Sequence, residues 1–154
     1  MTTALQAMLP RVLRRSLLGI ALLVVASPVG VRASVEEAHS FAMEAAAPHV
    51  KQGFNIRSDS WSGTLADGKN KIVRHQLFRG NEYWFWIGTS KPRTGLTLKI
   101  YDRKGRPVHV EAISGKYWAA ARVLPPKTGS YLVVISAGKK GAGGVDWSMS
   151  YGYR

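Results

Sequence analysis

The sequence predicts an all-β fold: a jelly-roll-like antiparallel β-sandwich of about eight strands, with a short N-terminal helix after a signal peptide. Three observations lead there. From Phe54 onward, short runs rich in Val, Ile, Tyr, Trp and Thr alternate with clusters of Gly, Pro, Asp and Asn. No helical period separates those runs, which argues against βαβ units. Residues 1–33 have a different composition, that of an export signal.

In chain order the signal comes first. It holds a basic segment (Arg11, Arg14, Arg15), an apolar run from Leu17 to Ala26, and a Val31-Arg32-Ala33 ending with a small residue before the cut. As a helix, that run would rise about 15 Å, half of a hydrocarbon core of about 30 Å, so a cleaved signal is expected over a retained anchor. Pro28 and Gly30 also interrupt it. Arg14-Arg15 followed by Ser16-Leu17-Leu18 resembles the twin-arginine signature, which leaves both export routes open. The expected location is periplasmic or secreted.

Residues 34–53 follow as a short helix and linker. Ser34 is placed as an N-cap, Glu36 and Glu37 occupy the first turn, and the helix is expected to end before Pro48. Residues 54–154 form the sandwich. Its strands are read as Phe54–Leu65, Ile72–Phe78, Tyr83–Thr89, Leu96–Asp102, Pro107–Ile113, Tyr117–Leu124, Ser130–Ala137 and Val145–Tyr153. Asp67-Gly68, Gly80-Asn81, Asp102-Arg103-Lys104-Gly105 and Lys127-Thr128-Gly129 supply the turns, each with a residue able to take positive φ or to bond its own backbone. In the fourth strand Leu96, Leu98 and Ile100 alternate with Thr97 and Lys99 and face the core. Tyr131 to Ile135 is apolar on both faces, which predicts a central strand covered on both sides.

Composition narrows the chemistry. Removing residues 1–33 takes four arginines and no acid, leaving 121 residues with 18 basic and nine acidic side chains, a formal net charge of +9. That length supports one domain with a real core. The charge favours salt-sensitive attraction to polyanions, or simply a solvated basic surface. Cysteine is absent, which excludes disulfides, thiol nucleophiles, thiolate zinc sites and iron–sulfur clusters.

Tyr83 to Thr89 is the most unusual strand, since both of its faces are large and apolar. With Tyr83, Phe85 and Ile87 inward, Trp84 and Trp86 stand about 7 Å apart on the other face. They could offer a stacking surface to sugar rings or to a protein, or be covered by a loop, the N-terminal helix or a neighbouring strand. Together with the basic Arg74 and Lys99 they make up the candidate binding surface.

No cofactor, metal or catalytic residue is assigned. Gly63 to Asn70 imitates a phosphate loop, but Asn70 replaces the Ser or Thr, and the segment from Ile72 alternates like a strand where that loop needs a helix. Gly138 to Gly144 opens no helix either, and reads as a basic hairpin loop. His39, His49, His75 and His109 have no metal-binding spacing, and no Gly-x-Ser-x-Gly elbow is present.

Gly63-Thr64-Leu65 with Asp67-Gly68, Tyr83-Trp84-Phe85, Leu96 to Asp102 with Gly105, and Pro125 with Gly129-Ser130-Tyr131 occur in an order that resembles bacterial pre-peptidase C-terminal domains and their stand-alone secreted relatives. The likeness spans about Trp61 to Ser136. It implies a compact β-sandwich with an accessory, non-catalytic role in targeting, solubility or substrate adhesion. It also implies that Asp102 and Gly105 shape the turn after the core strand and that Tyr131 packs beneath the penultimate strand. Ser90-Lys91-Pro92-Arg93 stands where relatives often carry acids, which argues against a calcium site there.

The expected function is thus an exported, non-enzymatic accessory or binding module that contacts an anionic polysaccharide, another envelope polymer or a partner protein. No specific nucleic-acid partner and no stable membrane span after cleavage are expected. The competing expectation is a small exported hydrolase, with His75 or His109 near a serine or carboxylate, or a hydrolase inhibitor presenting Ser90–Gly95 or Lys139–Gly144 as a rigid loop.

Overall fold

The computed structural model describes residues 29–138 and 143–154, with side chains from Ser34 onward. Most of the expected export signal, and most of the loop at 139–144, lie outside these residues. One helix, α1 (Val29–Val50), precedes eight strands: β1 (Asn55–Leu65), β2 (Asn70–Leu77), β3 (Tyr83–Thr89), β4 (Thr97–Asp102), β5 (Glu111–Ser114), β6 (Trp118–Val123), β7 (Gly129–Ser136) and β8 (Val145–Tyr153). They form two antiparallel sheets, ordered β1-β8-β3-β6-β5 and β2-β7-β4. Six of the seven strand connections cross from one sheet to the other, and only β5–β6 stays within a sheet. This is the all-β sandwich expected from the sequence, wound in jelly-roll fashion.

Alternation builds the core between the sheets. Phe85, Ile87 and Met149 from one sheet meet Leu98, Ile100, Val133 and Ile135 from the other, all buried. The turn after β4 is locked by Asp102, whose Oδ1 accepts from the backbone N–H groups of Lys104 (2.8 Å) and Arg106 (3.0 Å), while Gly105 takes φ +75°. Tyr131 lies buried on the inner face of β7 and donates its hydroxyl hydrogen to the Lys127 carbonyl at 2.6 Å.

Four sequence expectations need correction. The helix neither opens at Ser34 nor stops before Pro48: α1 spans Val29–Val50, with Ser34 inside it. Pro48 and Glu44, whose carbonyl the ring would crowd, both face solvent, and the last turn stays docked through buried Ala45, Ala46 and His49. Pro107–Ile113 is not one strand. Val108 N–H donates to the Ile100 carbonyl (2.8 Å) and Pro107 bridges Tyr101, after which the chain leaves β4 and Glu111–Ser114 pairs with β6. Proline has no N–H to extend the first pairing. β7 is central in its sheet but covered on one side only, since Leu132 and Val134 remain half-exposed on the outer face.

The fourth removes the tryptophans from the candidate binding surface, in favour of the cover by the N-terminal helix that the sequence also allowed. Trp84 and Trp86 do point to the outer face of the five-stranded sheet, but α1 lies across it, leaving them 7% and 0% exposed. Their rings are nearly parallel with centroids 6.4 Å apart, and His49 packs against both. Ala42, Ala45 and Ala46 present a flat helix face, so large rings on the sheet fill the space between the layers. Three further contacts fasten the helix. Ser34 Oγ donates to Asp146 Oδ2 at 2.5 Å, His39 Nδ1 lies 3.2 Å from Ser148 Oγ, and the Phe41 and Tyr117 rings stack at 4.4 Å.

Candidate functional site

With α1 covering one outer face, the other outer face, that of β2-β7-β4, is open. Strand alternation places Ile72, Arg74 and Gln76 of β2, Leu132 and Val134 of β7, and Lys99 and Tyr101 of β4 on it. Register arranges them in rows. Ile72, Val134 and Lys99 lie side by side, as do Arg74, Leu132 and Tyr101. Each row has an aliphatic centre and a cation at one end, so Arg74 and Lys99 stand diagonally across Leu132 and Val134, about 12 Å apart by strand spacing. Ile72 is 56% exposed, and no residue of this face is acidic.

The face continues at its Asp102 end into two clefts. The first, of about 500 Å³, is lined by Gln76, Arg103, Lys104, Arg106, Lys127 and Ser130 among others. The second, of about 570 Å³, is lined by apolar Pro107, Val108, Leu124 and Pro126, by Arg106, Arg122 and Lys127, and by the acids Asp102 and Glu111.

Internal pairing sorts these cations. Asp102 holds Arg106 at 2.7 Å; the backbone and side-chain hydrogen bonds from Arg106, with the Lys104 amide, keep the Asp102 carboxyl below its ordinary pKa. Glu82 pairs with Arg122 and, at 2.8 Å, with Arg154. Burial alone would raise the Glu82 pKa, but the hydrogen bonds and charges of the two guanidiniums outweigh it and hold it low. Arg122 also reaches Glu111 at 2.9 Å, and its own pKa is raised by the hydrogen bonds it donates to Glu82 and Glu111. Among the described residues, Arg74, Lys99, Arg103, Lys104 and Lys127 make no ion pair. These five charges are available to an outside anion.

Of the residues expected at the site, Arg74 and Lys99 therefore share the open face, while Trp84 and Trp86 lie on the opposite side of the molecule beneath α1. The histidines do not converge. His75 sits among Trp61, Phe85 and Tyr151, and burial pushes its pKa down against the opposing pull of Asp59. Among the described residues, neither His75 nor His109 hydrogen-bonds a serine or carboxylate. His39 does meet Ser148, but that serine is 1% exposed under the helix, out of reach of a substrate. No group of three or more metal-ligating side chains occurs among the described residues.

Sequence reading missed Tyr101, Leu132 and Val134 as parts of an open face, and Lys127 as its extension. Alternation shows that a strand has two apolar faces; it does not say which of them a helix covers. No protein-family model matches the chain, and no curated protein matches it significantly.

Proposed function

We propose that this chain is an exported, non-enzymatic accessory module that holds an anionic envelope polymer, foremost an acidic polysaccharide, across the outer face of β2-β7-β4. The observation that carries the reading is the set of five cations without ion pairs, Arg74, Lys99, Arg103, Lys104 and Lys127, on and beside a face that has no acid. Aliphatic side chains and Tyr101 between the cations suit the carbon skeleton of a carboxylated sugar chain, and open strands suit an extended ligand. The signal-like first 33 residues and the likeness to secreted pre-peptidase C-terminal domains support location and accessory role. Retention of the purified protein on immobilised acidic polysaccharide, peptidoglycan and DNA at low and moderate salt tests it. Salt-sensitive retention on the polysaccharide is expected; no retention on any of the three removes the polymer reading.

One observation favours a second reading, recognition of a partner protein by the β3–β4 loop. Arg93 adopts φ +54°, a left-handed conformation rare outside glycine, and is exposed. Its N–H is fixed to the Lys116 carbonyl at 2.8 Å, and Lys91 Nζ donates to the Gly144 carbonyl at 2.7 Å. A rigid loop presenting an arginine suits insertion into an acidic pocket, as an inhibitor would use. Arg93→Gly, which relieves the strain and removes the guanidinium, would abolish such binding while leaving polysaccharide retention intact.

A further inference from the structure

We infer that Asp146 is the seat of the α-ammonium group that cleavage between Ala33 and Ser34 creates, so that processing fastens α1 to the sheet. The inference rests on the export-signal reading and adds a use for the new terminus.

Three observations converge on it. Asp146, half-buried on β8, has its two carboxylate oxygens divided between elements: Oδ1 accepts from Thr64 Oγ1 of β1 and Oδ2 from Ser34 Oγ of α1, both at 2.5 Å. It makes no ion pair with a lysine or arginine among the described residues, so its charge is uncompensated. Ser34-Val35-Glu36-Glu37 has the Ser-x-x-Glu form of a capping box, a device that works only where a helix begins. In the uncut chain α1 starts at Val29, so Ser34 lies inside the helix and the box has no free end to cap.

Hydrolysis of the Ala33–Ser34 peptide bond consumes one water. The hydroxyl completes the Ala33 carboxyl group, and the Ser34 nitrogen becomes an amine that is protonated at neutral pH. The nitrogen and Oγ of Ser34 are joined through Cα and Cβ, about 3–4 Å apart. Since Oγ already touches Asp146, the new cation arises beside the carboxylate. The cut also moves the helix start to Ser34, where Glu36 and Glu37 fall in the first turn, with Asp146 beside it, and favour the positive end of the helix dipole.

The test expresses the full chain with export, determines the N-terminus of the product by mass spectrometry, and measures acylation of its α-amine at pH 7. A product beginning at Ser34 is expected, with an α-amine acylated about tenfold more slowly than that of the Asp146→Asn product, because an adjacent carboxylate keeps the amine protonated. Thr64→Val, which keeps the carboxylate but loosens it, is expected to fall between the two. A product beginning at Ser34 whose α-amine reacts equally fast in the wild type and Asp146→Asn overturns the inference and leaves the export reading standing. A product beginning at another residue overturns the inference and leaves the export reading standing, whereas an uncut chain overturns both.

Discussion

Gly88 of β3 lies directly under Ala38 of α1: a Cβ placed on Gly88 would stand 2.0 Å from the Ala38 carbonyl oxygen and 2.6 Å from the Ala42 nitrogen. Helix backbone and strand backbone are in contact there, with no side chain between them. That contact brings α1 down onto the tryptophans and decides which outer face of the sandwich is covered. Gly88→Ala should therefore destabilise the protein by about 3 kcal/mol, since the neighbouring atoms are backbone and cannot rotate away. Thermal unfolding monitored by tryptophan fluorescence checks this. A lowered midpoint and a red-shifted native spectrum are expected as Trp84 and Trp86 become wet.

Trp86→Ala should cost about 3–5 kcal/mol, the usual range for removing a fully buried aromatic side chain. Denaturant unfolding gives the number. Polysaccharide retention of whatever fraction remains folded should be unchanged, because the binding face is on the other sheet. A small loss of stability together with a large loss of binding would show that the indoles are recognition groups after all.

The two strands that sequence reading bounded correctly, Tyr83–Thr89 and Val145–Tyr153, carry successive aromatics in the first and apolar side chains at every second position (Val145, Trp147, Met149, Tyr151, Tyr153) in the second. Such signals are local. Three features were illegible for the opposite reason. The end of α1 was masked by Pro48, whose cost depends on the side of the helix it faces. Burial of Trp84 and Trp86 depends on a helix that joins the sheet from more than thirty residues earlier in the chain. The Glu82 bracket gathers Arg122 and Arg154 from 40 and 72 residues away. Arg74 and Lys99 could be named from sequence as cations on strands; that they share one uncovered face is a property of the register through β7.

Acid should weaken the fold in two steps. Burial holds the His75 pKa below its ordinary 6.5 in the native state, so the unfolded chain takes up that proton first. Stability is full above pH 6.5 and falls as the pH drops from there toward the native pKa. The depressed Glu82 pKa contributes stability that is present above 4.5 and is lost at lower pH as the carboxylate protonates. Denaturant midpoints measured from pH 8 to pH 3 should show both declines, with His75→Phe flattening the upper one and leaving the lower in place.

Glu82→Gln should flatten the lower decline and cost about 1–2 kcal/mol at pH 7, as the bracket between β6 and the C-terminal residue loses its charge. Arg122 keeps Glu111 as a partner, whereas Arg154 retains its donation to the Gln52 carbonyl at 2.8 Å. The variant thus tests the pairing without releasing either arginine completely. Since both remain tethered, its polysaccharide retention should match the wild type; increased retention would show that the bracket withholds charge from the ligand.

Charge removal on the open face should separate binding from stability. Arg74 and Lys99 are exposed and make no ion pair, so Arg74→Ala and Lys99→Ala should each shift stability by no more than about 0.5 kcal/mol. If they contact the polymer, each lowers its affinity at low salt, and the double variant lowers it further by the combined factor, because about 12 Å separates them. The dependence on salt should weaken in parallel, since each lost contact releases fewer counterions. Lys51, exposed near the C-terminal end of α1, is the control: Lys51→Ala removes the same charge from the whole molecule but lies outside the face. Equal losses from Lys51→Ala and from Arg74→Ala would mean that net charge alone attracts the polymer, and the outer face of β2-β7-β4 would lose its claim to be the site.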